Sequence, residues 1–124
     1  MKKIQWAEPD ISSGDKELLK QVIDSEWYSQ GKYSRLLEEE ICKFTGAKYA
    51  VTVNNGTSAL IASLLISDLQ KGDEILVPTF TFIATINSIL LLGFKPVLVD
   101  CEKDTFNISV EELEKSITKK TKAV

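Results

Sequence analysis

Tyr49-Ala-Val-Thr-Val-Asn-Asn-Gly-Thr-Ser-Ala-Leu-Ile-Ala-Ser-Leu-Leu-Ile66 changes its hydrophobic period halfway along. Lys48 to Val53 is apolar and β-branched, the pattern of a buried strand, whereas Thr57 to about Leu69 has the length and character of an apolar helix. Asn54-Asn55-Gly56 joins them. The first amides of a helix have no intrahelical acceptors and lie at the positive end of its dipole. Gly56, Thr57 and Ser58 therefore offer amides and two hydroxyls to an anion such as a phosphate, with Gly56 permitting a tight turn and close approach to the backbone. The same residues also read as an ordinary buried helix capped by Thr57. They form neither a Walker loop, which needs Gly-Lys-Ser/Thr, nor a dinucleotide fingerprint, which needs three glycines.

Before this junction the pattern is helical. Leu18, Leu19, Val22, Ile23 and Trp27 recur at helical spacing, so a first helix is expected over about 14–25, opened by Ser12-Ser13-Gly-Asp. A second is expected over about 34–45, with Leu37, Ile41 and Phe44 on one face and Gly46 as its stop. After the junction, Lys71-Gly-Asp is a turn and Glu74-Ile-Leu-Val77 a strand closed by Pro78. A helix over about 82–92 ends at Gly93, and Lys95-Pro-Val-Leu-Val-Asp100 is the next strand. Ser109-Val-Glu-Glu112 reads as a capping box for a helix to about Thr118, and Lys120 to Val124 as the opening of a further strand. Apolar strands alternating with helices define an α/β chain with a mostly parallel sheet covered by helices. Ligands in such sheets bind at the carboxyl ends of strands, where Asn54–Ser58, Pro78–Phe82 and Asp100–Glu102 fall.

The 124 residues suffice for one core, with 44% hydrophobic and 27% charged residues. Fourteen lysines and one arginine are scattered among eighteen acids, for a net charge of −3, so no basic stripe points to nucleic acid. The longest apolar run, Ile89-Leu-Leu-Leu92, is far below the roughly 20 residues that span a bilayer. Met1-Lys-Lys-Ile-Gln-Trp6 has no apolar core of a secretory signal, and a cytoplasmic location is the expectation. Cys42 and Cys101 read as buried free thiols. The absence of histidine removes the commonest general base and metal ligand.

Two further stretches carry polar and aromatic groups. Pro78-Thr-Phe-Thr-Phe-Ile-Ala-Thr85 sets two phenylalanines among three threonines, where an aromatic either stacks on a planar ligand or packs as core. Trp27-Tyr-Ser-Gln-Gly31 is either a substrate-contacting loop or a plain helix end. The acids of Asp100-Cys-Glu-Lys-Asp-Thr-Phe-Asn107 fit loop solvation and turn chemistry equally well.

Taken in order, Trp27-Tyr-Ser-Gln-Gly31, Leu37-Glu-Glu-Glu-Ile41, Gly46-Ala-Lys-Tyr-Ala-Val51, Asn54-Asn-Gly-Thr-Ser-Ala-Leu60, Gly72-Asp-Glu-Ile-Leu-Val-Pro78, Thr81-Phe-Ile-Ala-Thr85, Pro96-Val-Leu-Val-Asp100 and Thr118-Lys-Lys-Thr-Lys122 resemble the DegT/DnrJ/EryC1/StrS sugar aminotransferases. These are fold-type I enzymes dependent on pyridoxal 5′-phosphate (PLP). The resemblance runs from about residue 8 to 124 and covers about the first third of such a protein. It implies an N-terminal helical segment, 1–46, followed by part of the PLP-binding α/β large domain, 47–124. It further implies that Gly56, Thr57 and Ser58 bind the cofactor phosphate, that Phe82 stacks on the pyridine ring, and that Trp27, Tyr28, Gln30 and Gly31 lie near the sugar in a site completed by a second subunit. The implied substrates are a nucleotide-linked keto-sugar and an amino-acid donor such as glutamate, and the implied assembly is a homodimer. The family's Schiff-base Lys and pyridine-binding Asp match no position up to Val124, so no catalytic residue is assigned. A dehydratase of the same family and a non-catalytic fragment that binds phosphate compounds or associates with a partner are the alternatives.

Overall fold

The structure, a computed structural model, describes residues 7–124; the stretch read as lacking a secretory signal, residues 1–6, lies outside them. The chain divides into two compact units, one ending at Thr52 and one running from Val53 to Val124.

The first unit is helical. Helix α1 spans Ser13–Asp24 and starts with a reciprocal cap, in which the Ser12 hydroxyl accepts from the Asp15 amide and the Asp15 carboxylate accepts from the Ser12 amide at 2.7 Å. Helix α2 spans Lys32–Thr45 and stops at Gly46, whose left-handed φ of 75° lets its amide reach back to the Cys42 carbonyl at 2.9 Å. The residues after it depart from the expected strand. Residues 48–53 form no ladder with any strand among the described residues, and Val51 is 79% exposed. Strand propensity needs a neighbouring backbone to pair with. Here the Thr52 amide and hydroxyl both donate to one carboxylate oxygen of Glu38, at 2.8 and 2.9 Å, which draws the Glu38 pKa down.

The second unit carries the sheet. Its elements are α3 (Gly56–Leu65), β1 (Glu74–Pro78), α4 (Ile83–Leu91), β2 (Lys95–Val99), α5 (Val110–Ser116) and β3 (Thr121–Ala123). The strand order is β2-β1-β3 and both pairings are parallel. Ile75 pairs with Pro96 and Val77 with Leu98 on one side of β1. On the other, Glu74 faces Thr121 and Ile75 faces Ala123, with the register shifting between them. Pro96 lacks an amide donor and is tolerated because β2 lies at the sheet edge. β1 is buried on both faces, which is why it reads as an unbroken apolar run. Ile75, Val77, Ile89 and Phe94 form the core cluster, with Leu64, Leu69, Ile86, Leu92 and Ala123 packed around it. Complete burial of such a side chain contributes about 1.5–3 kcal/mol.

Glu74 enters this sheet as a charge. Its side chain is 8% exposed and accepts from the Thr118 hydroxyl at 2.6 Å and from Lys95 Nζ at 2.9 Å. These partners tie together the starts of all three strands and hold the carboxyl below its usual range, with the Thr118 bond the larger cause.

Three local expectations are revised. Helix α3 ends at Leu65 and α5 at Ser116, both short of the sequence reading. At α5 the Ser109 hydroxyl accepts from the Glu112 amide, but the Glu112 carboxylate pairs with Lys115, so half of the expected capping box is formed. Cys42 and Cys101 are free but only half-buried. No helix among the described residues is long and apolar enough to cross a membrane.

Candidate functional site

The start of α3 is capped by Asn55. Its backbone is extended, and its side-chain oxygen accepts from the Ser58 amide at 2.9 Å, while the Ala59 amide turns back to the Asn55 carbonyl at 3.2 Å. Capping therefore falls to Asn55 and not to Thr57. With Ser58 engaged, the amides of Gly56 and Thr57 are the two at this terminus with no acceptor among the described residues. Gly56 does not have a positive φ, and a Cβ built on it meets nothing within 4 Å. The turn itself thus does not demand glycine. What the missing side chain leaves is open space over two unpaired amides, which fits the approach of a phosphate.

The carboxyl end of β1 leads into the second group. Phe82 is the extended cap residue of α4 and is 76% exposed. The Thr81 and Thr85 hydroxyls on either side of it are 3.1 Å apart. Phe80 is also exposed, so neither phenylalanine is core; it packs against Phe106 with ring centroids 5.2 Å apart. Phe106 itself has a φ of 59°, in the left-handed region. Helices α3 and α4, which carry the two groups, pack against each other. Nearby, the Thr79 hydroxyl lies 3.5 Å from an Asp100 carboxylate oxygen, across the ends of β1 and β2.

The loop Trp27–Gly31 belongs to the first unit. Trp27 Nε1 donates to the Gln30 carbonyl at 2.9 Å, and the Tyr28 hydroxyl donates to the Ile23 carbonyl at 3.1 Å. A Cβ on Gly31 would stand 2.9 Å from the indole. Trp27, Tyr28 and Gly31, with Gln21, Tyr33 and Ser34, line an open recess of about 500 Å³.

Asn55 was the capping position that motif reading passed over. The signal was present, because Asn immediately before an apolar helix is a preferred cap. The Phe80–Phe106 pair had no such signal, being a contact made across the sheet end.

The second unit, with its parallel sheet, open helix terminus and exposed aromatic beyond the central strand, has the architecture of part of a fold-type I domain. The chain belongs to the DegT/DnrJ/EryC1/StrS aminotransferase family, whose model matches residues 9–124. It is 39% identical to the GDP-perosamine synthase of Escherichia coli O157:H7, an alignment covering 100% of this chain and 34% of that protein. Among solved structures it resembles an aminotransferase from Psychrobacter cryohalolentis, with a TM-score of 0.83 and 34% identity over 92% of this chain and 29% of that one. It also resembles a GDP-4-keto-6-deoxymannose-3-dehydratase holding a trapped PLP–glutamate geminal diamine, with a TM-score of 0.88 and 31% identity over 97% of this chain and 33% of that one. The chain spans about a third of the length of the curated relatives it matches.

Proposed function

We propose that the protein to which this chain belongs uses PLP to transfer an amino group from an amino acid, glutamate being the expected donor, to the keto carbon of a nucleotide-linked sugar. The observation that carries the reading is the start of α3: two amides that, among the described residues, have no acceptor and lie beneath open space at Gly56, in a chain of this family. When bound, PLP supplies an electron sink for the carbon that loses a proton. Gly56 and Thr57 would hold its phosphate through their amides, with the Thr57 and Ser58 hydroxyls adding neutral donors. Phe82, exposed and unencumbered at the head of α4, would cover the pyridine ring and exclude water from that face. Trp27, Tyr28, Gln30 and Gly31 would lie near a sugar substrate in a site completed by a second subunit. In this reading 47–124 is the cofactor-holding part, 1–46 a helical lead, the assembly a homodimer, and the location the cytoplasm, which the free thiols Cys42 and Cys101 suit.

The likeness to the dehydratase supports a second reading, loss of water from the same class of sugar. The native polypeptide, loaded with PLP and given glutamate and a nucleotide-linked 4-keto-sugar, separates the two by product mass. A product that exchanges its keto oxygen for an amino group supports transfer; a product that keeps its keto group and has lost a neighbouring hydroxyl supports dehydration. No reaction with either outcome overturns both.

A further inference from the structure

Resting on that reading, we propose that Asn55 is a specificity-determining residue: an uncharged cap that fixes the start of α3 while leaving its positive end unopposed for a phosphate dianion.

The argument begins with what a helix cap requires. Asn, Asp and Ser serve almost equally well, because each places an oxygen against the amide two or three residues on. Asp would favour the helix slightly more, since its charge complements the dipole. At this position the side-chain oxygen takes the Ser58 amide at 2.9 Å, and α3 carries no acid in its first turn. The cap engages one amide and leaves those of Gly56 and Thr57 without an acceptor among the described residues, under open space. An aspartate in the same rotamer would keep the bond to Ser58 and introduce a full negative charge beside the anion's place. Helix stability and anion affinity thus make opposite demands on residue 55. Only an uncharged acceptor meets both.

The test exploits that opposition. Asn55→Asp and Asn55→Ser are made in the native polypeptide, and dissociation constants are measured for PLP and for pyridoxal, which lacks the phosphate. The melting temperature of each apo-protein is recorded alongside. We expect Asn55→Asp to melt at or above the wild-type temperature, to lose roughly tenfold or more in PLP affinity through like-charge repulsion, and to bind pyridoxal as before. Asn55→Ser restores the preference for PLP. Unchanged PLP affinity in Asn55→Asp overturns the proposal. So does an equal loss for PLP and pyridoxal with a lowered melting temperature, which marks a purely structural cap. If the wild-type protein itself prefers PLP no more than pyridoxal, the phosphate reading of α3 fails, and the proposal with it.

Discussion

The indole of Trp27 occupies the space that a side chain on Gly31 would need: its ring atoms lie 2.9 Å from the position of a Cβ there. The loop closes because residue 31 is glycine, and the indole is then locked by its bond to the Gln30 carbonyl. Gly31→Ala should expel the indole and forfeit that bond, costing about 0.5–1.5 kcal/mol. In a Trp6→Phe background, leaving Trp27 as the one tryptophan, the fluorescence maximum should shift. An unshifted spectrum with an unchanged melting temperature would contradict the packing.

Gly56 makes the opposite case. A Cβ there meets nothing within 4 Å among the described residues. Gly56→Val should leave the apo-protein within about 0.5 kcal/mol of wild type, as surface substitutions usually do, yet weaken PLP retention by crowding the phosphate. Phe82→Leu should weaken retention less and shift the absorbance of the bound cofactor. Equilibrium dialysis and the visible spectrum decide; full PLP retention in the Gly56 variant removes the phosphate assignment.

Glu74 predicts an acid-sensitive sheet. Its folded pKa lies below the ordinary 4.5, so the stability it contributes is present above about pH 4.5 and is lost as pH falls through the folded value. Between about pH 7 and pH 3 the wild-type melting temperature should fall more steeply than that of Glu74→Gln, which starts lower and runs flatter. Parallel curves would show that the Thr118 and Lys95 contacts are not linked to stability.

Glu38 should act as a fastener for the segment that follows α2. Removing its carboxylate in Glu38→Ala leaves the Thr52 amide and hydroxyl without their acceptor. Hydrogen exchange at the Thr52 amide should accelerate several-fold while amides in the middle of α2 keep their protection. Equal acceleration throughout α2 would instead mean that the helix depends on the contact.

The strand β1 was legible because burial on both faces writes a continuous apolar run, β2 because Pro96-Val-Leu-Val99 is apolar even though only Val99 is fully buried, and α2 because Gly46 ends it. Residues 48–53 carried the same strand signature yet pair with no strand among the described residues, since pairing is a property of the neighbour and not of the segment. The start of α3 was legible from Gly56-Thr57-Ser58, but its cap, Asn55, was placed two residues too late, at Thr57. The bonds of Glu38 to Thr52 and of Glu74 to Thr118 join residues far apart in sequence, and no local pattern announces them.

The order β2-β1-β3 gives the chain a synthetic problem. Its central and most buried strand is made first, and both of its partners come later: β2 begins at Lys95 and β3 only at Thr121. At ordinary translation rates Ile75, Leu76 and Val77 leave the ribosome seconds before the second flank exists to shield them. During that interval the nascent chain presents a sticky, half-clad ribbon. Chaperone occupancy on ribosome-bound chains should therefore peak after β1 emerges and decline once β3 is out.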